Sequence, residues 1–191
     1  MLADADLFGL DYAAVEETAK ELYVRALKIL PPQVKRGFDR LARDEDDATA
    51  QTILGTMIEN IRVAERTRNL LCQDTGIPIY NVVVGRDVRL DGVALKEALR
   101  RGAERATREH PLRSSVVHPI TRVNEQTSCG RLVPVINLDF DEAPRQVRIE
   151  MIPKGSGSEN GSFLQMLLPS DGIGATATFG MADVAASCRH A

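Results

Sequence analysis

The sequence predicts an α+β fold, a helical N-terminal layer packed on a mixed β-sheet domain with flanking helices. Three observations carry this reading. Apolar residues recur at helical spacing through roughly the first seventy positions. At Ile77 the pattern switches to a short β-branched run bounded by Gly76 and Gly85. A further helical pattern, Leu95 to Ala106, then separates that run from two later ones.

Each element follows in order. Val15, Ala19, Leu22, Ala26 and Ile29 define the apolar face of a first helix. Pro31 and Pro32 end it, and Pro32 suits the first turn of a short helix running to about Arg43. The acidic run Asp44 to Asp47 suits a helix N-terminus, where negative charge meets the positive end of the helix dipole. Ala50, Ile53, Leu54, Met57, Ile61 and Ala64 then form one apolar face, predicting a third helix to about Leu70 or Leu71. Ile77 to Val84 reads as a strand, and Asp91-Gly92 as a turn. Leu95, Ala98, Leu99, Gly102 and Ala106 mark a helix ending near His110-Pro111. A long polar connection runs from Leu112 to Gly130. Leu132 to Phe140 and Val147 to Ile152 read as strands. Lys154 to Gly161 is rich in Gly and Ser, and the mostly apolar stretch Phe163 to Leu168 follows it. The chain reads as one domain, 1–191, with a helical part over about 1–71 and a mixed α/β part over about 72–191.

Composition narrows the function classes. Of 191 residues, 43% are hydrophobic and 27% charged, with a net charge of −3. That is an ordinary globular balance with no basic face for nucleic acid. Aromatics make up 4% and Trp is absent, so the core must be aliphatic. No stretch approaches the apolar length of a membrane span. Met1 to Leu10 lacks the basic region and apolar run of a secretory signal, so a cytoplasmic location is expected. Three widely separated cysteines, Cys72, Cys129 and Cys188, do not suggest a disulfide framework. Each is either a buried small hydrophobe or a metal ligand.

Three segments could carry chemistry. Cys72-Gln73-Asp74-Thr75-Gly76 falls where a long helix stops and a strand is about to begin. A thiolate there can ligate a soft metal, and a carboxylate can take a proton. Equally, Cys72 can be filler and Asp74 a turn residue. Pro153-Lys154-Gly155-Ser156-Gly157-Ser158-Glu159-Asn160 offers small residues whose backbone N–H groups can surround an anion. It lacks the Gly-Lys-Ser/Thr ending of a P-loop and the three spaced glycines of a dinucleotide site, and a flexible turn explains it as well. Pro111-Leu112-Arg113 and Val117-His118-Pro119 offer a bidentate carboxylate binder and a titratable imidazole. A surface arginine and a structural histidine are the plain alternatives.

In combination the segments are more specific. Cys-Gln-Asp-Thr-Gly, Arg113, Val-His-Pro-Ile-Thr-Arg and Lys-Gly-Ser-Gly-Ser-Glu-Asn, in that order, resemble the N-terminal part of the alpha subunit of class I fumarate hydratase. The same order marks the related L-tartrate dehydratase alpha subunit. The resemblance runs from about the Ile53 helix to Gly172. It implies a hydro-lyase that adds or removes water across a C–C bond of a C4 dicarboxylate, fumarate/malate first and tartrate as the alternative. It also implies a [4Fe–4S] cluster held by three cysteines, with one open iron acting as Lewis acid. By the same resemblance Cys72 matches the first cluster ligand, and Cys188 is the natural match for the second. Cys188 is followed by Arg189, His190 and Ala191 where the family has Cys-Pro-Pro. Cys129 matches no ligand position and reads as structural.

The resemblance further makes Asp74 the catalytic acid–base residue. Gln73, Asp74, Arg113, Gly155 and Gly157 become the substrate contacts. The third cysteine ligand lies further on in the family, so this chain alone is expected to be inactive. A beta subunit or C-terminal domain would complete it, in an oligomer. An inactive truncated or degenerate scaffold is the non-enzymatic alternative. A cluster-free enzyme using Asp74 and His118 is a third.

Overall fold

The computed structural model describes residues 8–143 and 145–155. The Phe163–Leu168 stretch lies outside the described residues. The element order is β1 (Phe8–Gly9), α1 (Tyr12–Ala26), α2 (Pro32–Asp44), α3 (Ala48–Thr67), β2 (Ile77–Gly85), β3 (Val88–Arg89), α4 (Gly92–Glu109), β4 (Val135–Asp141) and β5 (Val147–Lys154). The α+β class is borne out.

Local chemistry explains the helix starts. The Asp11 carboxylate accepts the Ala13 and Ala14 N–H groups at 2.9 and 3.2 Å, capping α1. Asp91 does the same for α4 through Val93 and Ala94. The expected Asp91-Gly92 turn is therefore a helix cap and its first residue. Asp47 caps α3 by accepting the Ala50 N–H at 2.8 Å, and Pro32 opens α2. Among the described helices none is long and apolar enough to cross a membrane.

The main sheet has the order β4-β2-β5. β2 and β4 run parallel, with α4 in the connection between them, while β2 and β5 are antiparallel. Pro78, Tyr80, Val82 and Val84 alternate along β2 onto the covered face, against α1 and α4. The Tyr80 hydroxyl donates to the Ala19 carbonyl at 3.1 Å, so the phenol is satisfied inside the core. Burial pushes its ionisation far above the ordinary tyrosine range.

Helices α1 and α4 meet along a seam of small residues. A β-carbon on Gly102 would lie 2.6 Å from the Glu16 carbonyl oxygen and 2.7 Å from the Ala19 Cβ. Above the seam Glu16 accepts from Arg101 at 2.6 Å and from Arg105 at 3.2 Å. Lys20 and Arg105 both reach Glu109.

Several sequence expectations shift. The buried face of α1 is Val15, Ala19 and Tyr23, continued by Leu27, rather than the Val15–Ala19–Leu22–Ala26–Ile29 line. Ile29 falls beyond the helix end and is 46% exposed. On α3 the expected apolar face is only partly covered, with Ile53 and Met57 exposed, Ala50, Leu54 and Ile61 half-buried and Ala64 alone buried. Helices α2 and α3 pack on each other, so the layer that covers the sheet is α1 with α4. Leu132 does not join β4. It is exposed in a Gly130–Val133 bridge that precedes a cis Val133–Pro134 peptide. The two-residue strands β1 and β3, paired in parallel, are too short for a periodicity to reveal.

Candidate functional site

The Cys72 block occupies the passage from α3 into β2. It is anchored at its start, where Leu71 N–H donates to the Leu27 carbonyl at 2.9 Å and Asn60 Nδ2 donates to the Leu71 carbonyl at 2.8 Å. Cys72 and Gln73 are exposed. The Asp74 N–H donates to Cys72 Sγ at 3.4 Å. Asp74 retains only 11% of its side-chain exposure. Its Oδ1 accepts the Gly76 N–H at 3.3 Å and lies 3.7 Å from Arg113 Nη2.

Behind this outward-facing layer the chain is closely held. Thr75 is wholly buried, and its Oγ1 donates to the Arg113 carbonyl at 2.5 Å. The Tyr23 hydroxyl, also wholly buried, reaches the Thr75 and Gly76 carbonyls at 3.1 and 3.2 Å. Burial pushes the pKa of this phenol up, keeping it a neutral donor.

Gly76 has φ +71°, a conformation that side chains disfavour, and it packs directly on the Lys154 backbone. The register pairs Ile77 with Lys154, so Gly155 follows the sheet just where the Cys72 block enters it. Lys154 Nζ donates to the Gly155 carbonyl at 2.8 Å. The fold thus brings together Cys72, Gln73, Asp74, the Arg113 segment and the first glycine of the Gly/Ser stretch. Gly157 and Cys188 lie outside the described residues.

His118 is not part of this group of contacts. Its Nδ1 accepts the Ile120 and Thr121 N–H groups at 3.3 and 3.1 Å, holding a turn that Arg122 N–H closes onto the His118 carbonyl. An imidazole engaged in this way is a turn-former. Cys129 is buried, its thiol directed to the Arg100 carbonyl at 3.5 Å, and burial pushes it up to about 11. It is a structural cysteine in its geometry and its chemistry.

The donor set can be weighed as it stands. Cys72 is an exposed thiol with an N–H directed at its sulfur, and it suits a single soft-metal ligand. Among the described residues no group of three or more His, Cys, Asp or Glu is placed to hold a metal ion. These residues therefore fit one corner of a cluster site and do not supply a complete one.

A family model described as fumarate hydratase (fumerase) matches residues 16–190. The chain belongs to the fumarate hydratase family. It is 40% identical over 161 residues to a protein of Methanocaldococcus jannaschii that carries the name of an L(+)-tartrate dehydratase alpha subunit, covering 83% of this chain and 56% of that one. It is 30% identical over 156 residues to a class I fumarate hydratase, so named, of Geobacillus stearothermophilus, covering 81% and 30%. Identity to the L(+)-tartrate dehydratase alpha subunit of Escherichia coli K12 is 29% over 143 residues, covering 75% and 47%. The chain thus spans about half, or less, of the curated relatives it matches.

Two residues behind this group of contacts, Thr75 and Tyr23, escaped the sequence reading. Thr75 was legible only as part of a motif, since nothing local distinguishes a buried hydroxyl from an exposed one. Tyr23 lies far from the block in sequence. Counting the α1 face as positions 15, 19, 23 and 27 would have placed it inward, with its hydroxyl in need of a partner.

Proposed function

We propose that this chain is the N-terminal part of a hydro-lyase alpha subunit, acting on a C4 dicarboxylate. The observation that carries the reading is the placement of the Asp74 carboxylate 3.7 Å from the Arg113 guanidinium, beside the exposed Cys72 and the Lys154–Gly155 backbone. Family membership supports the reaction class.

In this reading Arg113 binds one substrate carboxylate through its planar fork of donors. Gln73, exposed and next to Asp74 in the chain, donates and accepts at a substrate oxygen. Gly155, and Gly157 beyond it, leave backbone N–H groups approachable by the second carboxylate. Asp74 takes or returns the proton that moves with the substrate, and its small exposure limits competing water. Cys72 would hold one corner of a [4Fe–4S] cluster, with Cys188 as the proposed second ligand and the third supplied from beyond this chain. When bound, such a cluster supplies Lewis acidity toward a substrate hydroxyl and carboxylate. Further protein, a beta subunit or C-terminal domain, completes the site in an oligomer. Unpaired Cys72 and Cys129 suit a reducing, cytoplasmic setting.

Fumarate/malate is the first substrate pair. Tartrate is the second reading, favoured by the name of the 40% identical relative. Calorimetric titration of the chain with fumarate, L-malate and L-tartrate tests both. One of the three should bind, and Arg113→Met and Asp74→Asn should each weaken it by about tenfold or more. Equal heats for parent and variants would remove the dicarboxylate site. Anaerobic treatment with iron and sulfide, with the completing protein supplied, should give the parent a visible charge-transfer absorption that Cys72→Ser lacks. A colourless parent would leave the scaffold alternative for this chain.

A further inference from the structure

We propose that Thr75 is a positioning residue that sets the placement of Arg113 relative to the Lys154–Gly155 backbone, and so the length of diacid the site accepts. The inference rests on the reading that Arg113 and the Gly155 backbone hold the two ends of a dicarboxylate, and it assigns a task to a residue that cannot touch one.

Thr75 is 0% exposed, so its hydroxyl has no access to a ligand. It directly follows Asp74 in the chain. Its Oγ1 donates to the main-chain carbonyl of Arg113 at 2.5 Å, across 38 positions of sequence. One side chain therefore ties the backbone of the carboxylate to the backbone of the guanidinium. The Arg113 side chain itself is 63% exposed and reaches outward from a short link that follows α4. Its direction depends on how that link is pinned.

The pin is braced on both sides. From below, Tyr23 holds the Thr75 and Gly76 carbonyls with a single buried hydroxyl. From the other flank, Ser114 is buried next to Arg113. Its Oγ accepts the Ser128 N–H at 3.0 Å, and its carbonyl accepts from Asn124 at 2.9 Å. Ser128 is wholly buried with φ +52°. A strained, fully enclosed residue in a long connection is a feature that surrounding structure must impose. Here it fixes the segment carrying Arg113.

The steric demand is specific. Valine matches the shape of threonine but donates nothing, leaving the Arg113 carbonyl without this donor. Serine keeps the donor and loses a methyl. A displacement of about 1 Å in a binding group is enough to cost one to two orders of magnitude in function.

The test uses the whole 191-residue chain with succinate as the probe. Iodoacetamide labels Cys72, and mass spectrometry of its peptide gives the rate with and without ligand. In the parent, succinate should slow the reaction. Thr75→Val should need about tenfold more succinate for the same protection, measured at a temperature where the variant is still folded and relative to its own ligand-free rate. Thr75→Ser should restore the parent concentration. Butyrate, with one carboxylate, should protect parent and Thr75→Val equally, because a single contact does not read the spacing. If Thr75→Val does not fold, Tyr23→Phe should give the same selective loss with succinate. Parent-like protection in the folded valine variant overturns the inference, as does a serine variant no better than valine. Parent Cys72 unprotected at any succinate concentration overturns the dicarboxylate reading itself, and the inference with it.

Discussion

Gly76 lies so close to Lys154 that a β-carbon built on it would stand 2.5 Å from the Lys154 carbonyl oxygen. This contact joins the two chemically interesting segments, the block that opens β2 and the Gly/Ser stretch that follows β5. Gly76→Ala should therefore fail twice, by collision with backbone and by a φ of +71° that alanine resists. A destabilisation of about 2–3 kcal/mol is expected from thermal or urea unfolding. A stability equal to the parent would mean that the two segments are not in contact.

Tyr23 should carry more stability than its ring alone supplies. Its hydroxyl is the donor for two buried carbonyls, and phenylalanine would leave both short of it. Urea denaturation of Tyr23→Phe should show a loss of about 1–3 kcal/mol. The denaturant slope should not change, since the fold still buries the same surface.

The two described cysteines should differ sharply toward an alkylating agent. Cys72 is exposed, whereas Cys129 is buried with its thiol pushed up to about 11. At pH 8 only about one Cys129 in a thousand would be thiolate even if reagent could reach it. Peptide mapping after brief iodoacetamide treatment should find Cys72 modified and Cys129 intact. Labelling of Cys129 should await unfolding or strongly alkaline pH.

The acid limb of stability should report on the α1–α4 ion pairs. The Arg101 hydrogen bond holds the Glu16 carboxyl below its ordinary value, against an opposing effect of burial, with Arg105 adding to the lowering. A depressed carboxylate contributes stability above its unfolded value of about 4.3 and loses it as pH falls through the folded value. Glu16→Gln should thus be less stable than the parent at pH 7. The gap in urea midpoint should close as pH is lowered below 4. A gap that persists unchanged in acid would place the effect in packing rather than charge.

Much of the fold was legible, for identifiable reasons. β2 announces itself because Ile77 to Val84 is β-branched and fenced by glycines, and α4 because its apolar residues repeat cleanly between Asp91 and His110. The convergence of the Cys72 block, Arg113 and Gly155 was suggested by motif order, and the Ile77–Lys154 register now gives two of these segments a physical connection. The α3 face misled because Ile53 and Met57 show the right period without a partner surface in the described residues. Periodicity reports that a face is apolar and says nothing of what covers it. Thr75 stayed hidden because its partner is a main-chain carbonyl 38 positions away, which no side-chain pattern encodes.

The seam between α1 and α4 has a further meaning for how this molecule tolerates change. At Ala19, Gly102, Ala103 and Ala106 the two helices meet almost backbone to backbone, with no long side chain to cushion a shift. One turn along α1 stands Tyr23, whose hydroxyl props the turn bearing the carboxylate. A methyl group added at the seam would therefore be felt at the turn that carries Asp74, as a lever is felt at its far end. Substitutions on the solvent side of α4 away from Arg101, Arg105 and Glu109 would have no such path.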